Sequence, residues 1–87
     1  MVEREITIVN QDGLRGKPAT YFVQKAVEFK SLIFLEKDTK RINAKSLMGV
    51  LMLGLTKGQT VLLKADGADE NEAIETLSAF TKAGFRE

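Results

Sequence analysis

The chain is organised around Asn43-Ala44-Lys45-Ser46-Leu47-Met48-Gly49-Val50-Leu51, a short polar run that ends in a serine and passes directly into an apolar segment. Serine is a preferred helix N-cap because its hydroxyl accepts a hydrogen bond from a free backbone N–H of the first turn. A phosphate on that hydroxyl would lie at the positive end of the helix, where an anion is stabilised. Ser46 is therefore either a phosphorylation switch beside a partner surface or an ordinary cap before a core helix.

The apolar residues after Ser46 recur at helical spacing and are the candidate partner surface. They are Leu47, Met48 and Leu51. Periodicity favours exposure of Met48 over Leu47 and of Leu47 over Leu51, which is the best placed of the three to face a core. We expect these three residues to offer an apolar contact, to which Met48 contributes because methionine adapts well to partner surfaces.

Composition restricts the chemistry open to this chain. With 87 residues, 44% hydrophobic and 29% charged, it predicts one small globular domain. It contains no cysteine and no histidine, which excludes disulfides, a catalytic thiol, an imidazole base and the usual zinc site. We expect no metal and no cofactor, and the motifs described below lead us to expect no enzymatic activity. The sequence also shows no apolar run near the ~20 residues that span a bilayer and no leader-like start, so we expect no membrane association and a cytoplasmic location.

Charge is unevenly distributed along the chain. The formal net charge is only +1, which argues against direct nucleic-acid binding. Residues 15–45, however, carry eight Lys or Arg against three acidic residues, a local excess of five. A basic middle suits an acidic partner surface through electrostatic steering, although a solvated face of mixed charge gives the same composition.

The first half of the chain reads as a strand over 2–9, a turn over 10–13 and a helix over 17–29. Pro18 suits the start of that helix, because its missing N–H is among those the first turn leaves unpaired. The predicted buried stripe of this helix comprises Ala19, Phe22, Val23, Ala26 and Phe29.

The second half predicts strands over 32–37, 40–43 and 60–65 and helices over 46–53 and 70–83. The strand over 32–37 is apolar on both faces at its start, so we expect it to be central. The order is β-α-β-β-α-β-α, which predicts an α+β fold with helices on one face of an antiparallel or mixed sheet.

The last helix carries its own boundary signals. Asp69 with Glu72 three residues later resembles a capping box at its start, and Gly84 is a plausible C-terminal stop. Its predicted buried stripe comprises Ala73, Ile74, Leu77 and Phe80.

Two motifs together resemble those of one protein family. Gly13-Leu14-Arg15-Gly16-Lys17-Pro18-Ala19 is similar to the G-L-H-A-R-P-A signature of HPr, the histidine-containing phosphocarrier of the bacterial sugar phosphotransferase system. Residues 43–49 resemble the regulatory-serine segment of the same family. The resemblance covers the whole chain and implies the HPr open-faced β-sandwich, a four-stranded antiparallel sheet with three helices on one face.

The chain differs from the family signature at the residue that is phosphorylated in the family. The phosphorylated histidine of the family falls on Arg15, whose guanidinium stays protonated and cannot accept and pass on a phosphoryl group. Gly16 and Lys17 also differ from the signature. We therefore expect no catalytic residue and no histidine phosphocarrier activity.

The same combination, a lost histidine and a retained serine, is typical of the HPr relatives of the catabolite-repression (Crh) type. The resemblance implies that HPr kinase/phosphorylase phosphorylates Ser46. It further implies that the phosphorylated form is a corepressor of a LacI-type catabolite control regulator, which it contacts without binding DNA. Such relatives can dimerise by exchanging the first strand, so a monomer and a homodimer swapped over 2–9 are both open, with 10–13 as the hinge.

Arg15 and Lys17 form a second candidate contact site. Two cations beside the free N–H groups at a helix start could hold a partner carboxylate or the phosphate on Ser46, or they could be two solvated side chains on an abandoned active site. Thr20 and Lys45 are further candidates for the same surface. Two other functions stay open: a constitutive adaptor in which Ser46 is only a cap, and a degenerate phosphotransferase-system HPr.

Overall fold

The structure is a computed structural model, and it describes residues 1–86. Its order of strands and helices is the predicted β-α-β-β-α-β-α. The elements are β1 (Val2–Thr7), α1 (Lys17–Ala26), β2 (Leu32–Lys37), β3 (Lys40–Asn43), α2 (Leu47–Leu53), β4 (Thr60–Asp66) and α3 (Glu70–Lys82).

The four strands form one antiparallel sheet in the order β1-β4-β2-β3. The predicted antiparallel open sheet is therefore confirmed, and β2 is central as expected. The first residues of β2 are apolar on both faces of the strand, but the strand is not buried on both faces. Leu32 is 59% exposed and lies on the face that the helices leave open, while Phe34 on the same face is half-buried beneath the Arg41 guanidinium, 3.9 Å from the ring centroid.

The core lies between the other face of the sheet and the helices. Strand side chains alternate, so every second residue of β1, β2 and β4 points into this layer. The predicted core residues Phe22 and Phe29 are buried, and so are Ala73, Ile74 and Leu77 on α3. Burial of each large apolar side chain contributes about 1.5–3 kcal/mol, which makes this layer the main source of stability.

Some element ends differ from the sequence prediction. The first helix ends at Ala26, three residues early, because the chain then tightens into a turn in which Phe29 N donates to the Ala26 carbonyl at 3.2 Å. The first strand ends at Thr7, although Ile8 N still donates to Gln59 O at 2.9 Å. The last helix ends at Lys82, one residue before the predicted end, and Gly84 follows with φ +73°, in keeping with the stop predicted there.

The predicted capping box at the start of α3 is wrong. Asp69 occupies the N-cap position but makes no side-chain cap hydrogen bond. Its carboxylate instead accepts hydrogen bonds from Lys30 N at 2.8 Å, Ser31 N at 2.9 Å and Ser31 Oγ at 2.5 Å. The Ser31 hydroxyl and then the Lys30 amide lower the pKa of Asp69 from 3.8 to about 2. This carboxylate therefore ties the start of α3 to the loop between α1 and β2.

Gly67 allows this close approach of the two loops. A Cβ at this position would lie 2.7 Å from Ser31 Cα, closer than side chains tolerate. Glu70 secures the same turn, since its carboxylate accepts from Gly67 N at 3.1 Å.

Candidate functional site

The segment around Ser46 forms a capped helix start, as predicted. Ser46 is the N-cap of α2, with φ −104° and ψ 115°, and its Oγ accepts a hydrogen bond from Gly49 N at 3.2 Å. The preceding polar run has a structural purpose: Asn43 accepts from Lys45 N with its side chain at 2.9 Å and from Ser46 N with its carbonyl at 3.0 Å. The Ser46 side chain is half-buried at the molecular surface.

The residues after Ser46 include several exposed apolar side chains. Val50 is the buried anchor of α2, so the residues on the opposite side of this short helix face solvent. Met48 is 73% exposed, as expected, and Leu51 at 43% is slightly more exposed than Leu47 at 39%. The expectation that Leu51 is the least exposed of the three is wrong, because Val50 is the residue of α2 that is buried and Leu51, next to it, lies on the outer side of the helix.

Met52, 72% exposed, was missed by the sequence reasoning. The available signal was its spacing from Met48, since residues four apart share a helix face. We name Leu47, Met48, Leu51 and Met52 the α2 apolar surface.

Arg15 in the loop before α1 and Lys17, the first residue of α1, are both exposed to solvent. Gly16 is the N-cap of this helix, at φ +61°, and makes no side-chain cap, while Pro18 lies in the first turn as predicted. Arg15 Nε donates to the Asp12 carbonyl at 3.0 Å, which folds the side chain back over its own loop. The pair of exposed cations at this helix start therefore exists as expected.

Two further candidates make contacts within the chain. The Thr20 hydroxyl donates to the Gly16 carbonyl at 3.3 Å and is half-buried. The Lys45 ammonium donates to the Phe29 carbonyl at 2.6 Å, where it stabilises the turn that ends α1. Both side chains support the candidate surface structurally.

The two motifs lie on adjacent parts of the fold. Helices α1 and α2 pack against each other, and Leu14 N donates to Leu55 O at 3.0 Å, which joins the loop before α1 to the segment after α2. Gly13 is required at this junction, since it has φ +75° and a Cβ would lie 2.4 Å from Leu55 O. Within residues 1–86, no hydrogen bond or ion pair links Arg15 or Lys17 to Ser46.

Among the residues described, no group of three or more acidic, His or Cys side chains is placed to hold a metal ion. In the same part of the chain, every helix is too short or too polar to cross a membrane.

Comparison with known proteins identifies relatives of this architecture. Residues 2–83 match the family model described as PTS HPr component phosphorylation site. The HPr-like protein Crh of Halalkalibacterium halodurans is 48% identical over 80 residues, which cover 92% of this chain and 95% of that protein.

Two crystal structures are similar over the whole chain. HPr-C-His from Thermoanaerobacter tengcongensis superposes with a TM-score of 0.96 at 47% identity, covering 100% of this chain and 98% of that chain. Bacillus subtilis Crh, described as a dimer with a swapped domain, superposes with a TM-score of 0.78 at 42% identity, covering 100% of both chains.

Proposed function

This chain belongs to the PTS HPr family, and from that premise we propose that it is a non-catalytic regulatory protein controlled by phosphorylation of Ser46. HPr kinase/phosphorylase adds the phosphate, and the phosphorylated form acts as a corepressor of a LacI-type catabolite control regulator. The protein contacts that regulator and makes no direct contact with DNA. Its similarity to Crh supports a regulatory rather than a phosphocarrier role.

The proposal rests on the position of Ser46, which caps the start of α2 and lies next to the α2 apolar surface. A phosphate adds about −1.5 to −2 charge and three strong acceptor oxygens beside exposed Leu47 and Met48. A partner that buries the methionine surface and offers a cation to the phosphate would bind the modified form selectively. The switch therefore needs no rearrangement of the fold.

Arg15 supports the same proposal by excluding the alternative chemistry. Its guanidinium is exposed and folded over the loop where the family signature has its phosphorylated histidine. A protonated guanidinium offers no lone pair to a phosphoryl group, so phosphocarrier activity is lost on chemical grounds.

The proposed contact surface extends from α2 to the start of α1. It comprises Ser46, Arg15, Lys17 and the four residues of the α2 apolar surface, with Thr20 and Lys45 at its margin. The exposed methionines supply apolar area, and the two cations favour an acidic partner.

Mass spectrometry after treatment with HPr kinase/phosphorylase and ATP tests the modification. We expect one added phosphate, located on Ser46 by peptide mapping and absent from Ser46→Ala. Thr39→Ala removes a different exposed hydroxyl, in the β2–β3 turn, and should leave the phosphate in place. If the protein takes up no phosphate but still binds the regulator, it is a constitutive adaptor and the proposed switch is wrong.

Titration calorimetry with the purified LacI-type regulator tests the surface. We expect the phosphorylated protein to bind at least tenfold more tightly than the unmodified one, a difference of about 1.4 kcal/mol. The double variant Arg15→Ala/Lys17→Ala should weaken this binding, whereas Lys57→Ala, a cation exposed in the loop before β4, should not. Unchanged affinity of the double variant would mean that both cations are merely solvated.

We also propose that the chain forms a homodimer by exchanging β1. The swapped dimer of Bacillus subtilis Crh supports this, as does the position of β1 at the edge of the sheet, where it pairs only with β4. The turn formed by residues 10–13 would serve as the hinge. The monomer described above is the other member of this equilibrium.

A further inference from the structure

The outer edge of β1 carries backbone groups that no other strand pairs. Within residues 1–86, β1 pairs only with β4, and the register is continuous along the whole strand. Ile8 N donates to Gln59 O in line with this register, so the even-numbered residues of β1 direct their N–H and C=O groups towards β4. The backbone groups of the odd-numbered residues Glu3, Glu5 and Thr7 therefore point away from the sheet.

This edge is accessible to a second chain. Glu3, Glu5 and Thr7 are all exposed. Beside the edge, a cavity of about 180 Å³ separates β1 from the second half of α3, and exposed Val9 and Lys82 are among the residues that line it. Helix α3 therefore leaves room next to β1. The volume is below the range typical of small-molecule sites and suits one or two short side chains.

The two carboxylates of this edge lie on the open face of the sheet. Side chains alternate along a strand, so Glu3 and Glu5 point to the face opposite buried Ile6. Lys64 Nζ lies 3.7 Å from Glu3 Oε2, whereas Glu5 forms no ion pair within residues 1–86. A strand added beside β1 would place its own side chains directly opposite both carboxylates, where opposite charges attract and like charges repel.

The charge of each sheet edge determines which segment can pair with it. Edge strands are commonly protected from strand addition by proline, bulges, short length or charge. β1 has six residues, contains no proline and pairs with β4 without a bulge, so its protection is charge. Glu3 and Glu5 repel an acidic segment but attract a basic one. The opposite edge, β3, has four residues and begins with Lys40 and Arg41, which would repel the same basic segment.

We infer that the free edge of β1 binds an extended basic segment of a partner protein, with Lys or Arg at alternate positions. The basic side chains pair with Glu3 and Glu5 on the open face, and the residues between them are short, neutral and directed towards the cavity. Main-chain hydrogen bonds to the odd-numbered residues of β1 hold the segment, as in other cases of β-strand addition. None of the residues of the proposed contact surface belongs to this edge, so the inference is independent of the Ser46 switch.

The test is a titration of the uniformly ¹⁵N-labelled full chain with an acetylated and amidated Lys-Val-Lys-Val-Lys peptide at low ionic strength. We expect saturable shifts of the Glu3, Glu5 and Thr7 amides, with a Kd on the order of 1 mM because the flexible peptide must be ordered on binding. Hydrogen exchange at Glu5 and Thr7 should slow as the peptide is added. A Glu-Val-Glu-Val-Glu peptide should produce neither effect.

Methylation of the peptide backbone separates strand addition from simple charge attraction. In the added strand, the lysine opposite Glu5 exchanges both main-chain hydrogen bonds with it. N-methylation of the lysines should therefore weaken binding at least about tenfold, since several hydrogen bonds are lost. N-methylation of the valines, whose N–H groups face away from β1, keeps the same charge and should change the affinity by less than about twofold.

Substitutions in the protein test the charge pairing. Glu5→Gln should weaken binding about threefold and the double variant Glu3→Gln/Glu5→Gln about tenfold, while Glu28→Gln, in the exposed turn after α1, should bind as the wild type does. The inference is wrong if no saturable shifts occur at β1, if they are confined to α3, or if the lysine-methylated peptide binds as tightly as the parent. Shifts at Glu5 and Thr7 that appear on concentrating the protein alone would assign the edge to a second copy and also contradict it.

Discussion

Ser46 serves the fold and the proposed switch with the same hydroxyl. Its Oγ accepts from Gly49 N, so phosphorylation modifies a group that already stabilises α2. A phosphate retains acceptor oxygens and adds charge at a helix start, where negative charge is favourable. We therefore expect the modified protein to remain folded.

Substitutions at Ser46 measure how much its capping hydrogen bond contributes to stability, apart from its proposed role as a phosphorylation site. Ser46→Ala should lower the free energy of unfolding by about 1 kcal/mol, since the first turn of α2 loses its side-chain acceptor. Ser46→Asp supplies a carboxylate acceptor in its place and should be close to the wild type in stability. Urea denaturation followed by circular dichroism measures both. An alanine variant as stable as the wild type would show that the hydrogen bond to Gly49 contributes nothing.

Arg15 alone should determine whether the protein accepts a phosphoryl group from enzyme I. Incubation of the wild-type protein with enzyme I and labelled phosphoenolpyruvate should leave it unlabelled, because a guanidinium is not a phosphoryl acceptor. Arg15→His supplies an imidazole nucleophile at the same exposed loop position and should acquire label. Autoradiography of the separated proteins is the measurement. Label on the wild-type chain would overturn the assignment of a regulatory role.

At the scale of elements, the loop before α3 and the loop before β2 are joined through one carboxylate. Asp69 accepts three hydrogen bonds from Lys30 and Ser31, and Gly67 allows the two loops to approach. The contact orients α3 relative to the sheet. Its effect on stability depends on the ionisation of Asp69.

The urea midpoint of unfolding should fall as the pH is lowered from 5 towards 2. Hydrogen bonds from Ser31 and Lys30 lower the pKa of Asp69 from 3.8 to about 2, so the ionised form stabilises the native state above pH 3.8 and this contribution is lost as the pH falls towards 2. The Gly67 amide and the Arg4 guanidinium lower the pKa values of Glu70 and Glu75, which act in the same direction.

Asp69→Asn should be less stable at neutral pH and should show a shallower loss of stability on acidification. Asp38→Asn is the matched control, because this exposed turn residue has φ +57°, which asparagine tolerates. It should retain the wild-type pH profile. Equal pH profiles for Asp69→Asn and the wild type would show that the three hydrogen bonds do not favour the ionised carboxylate.

At the scale of the whole molecule, β1 is the element that the proposed dimer would exchange. It lies at the sheet edge, pairs with β4 and contacts α3, where Arg4 forms an ion pair with Glu75. Exchange between two chains would preserve all of these contacts, so the free-energy difference between monomer and dimer is set mainly by the hinge.

Gly13→Ala should therefore raise the dimer fraction. The substitution strains a residue at φ +75° and places a Cβ against Leu55 O, which destabilises the closed turn of the monomer. Gly58→Ala is the control, since φ is +90° but a Cβ there meets no atom within 4 Å. Size-exclusion chromatography with light scattering across a range of concentrations measures the equilibrium. A Gly13→Ala protein that loses stability yet stays monomeric would contradict the hinge assignment.

Local sequence signals determined much of this protein. The order of the elements, the Ser46 cap, the exposure of Met48 and the buried stripe of α3 were predictable, because each depends on residues within one or two turns of each other. The missing histidine was equally a property of the sequence, since no fold can give Arg15 a phosphoryl-accepting lone pair.

The contacts between distant segments follow from three-dimensional packing and have no local sequence signal. The partners of Asp69 lie 38 and 39 positions away in the chain, so a local capping box was the natural but wrong expectation. The contact of Lys45 with the Phe29 carbonyl joins residues 16 positions apart. The outward position of Leu51 and Met52 likewise depends on how α2 packs against the rest of the fold. The periodicity of a sequence predicts which residues share one face of a helix or strand. Tertiary packing determines which of these faces are buried against another element and which stay exposed to solvent.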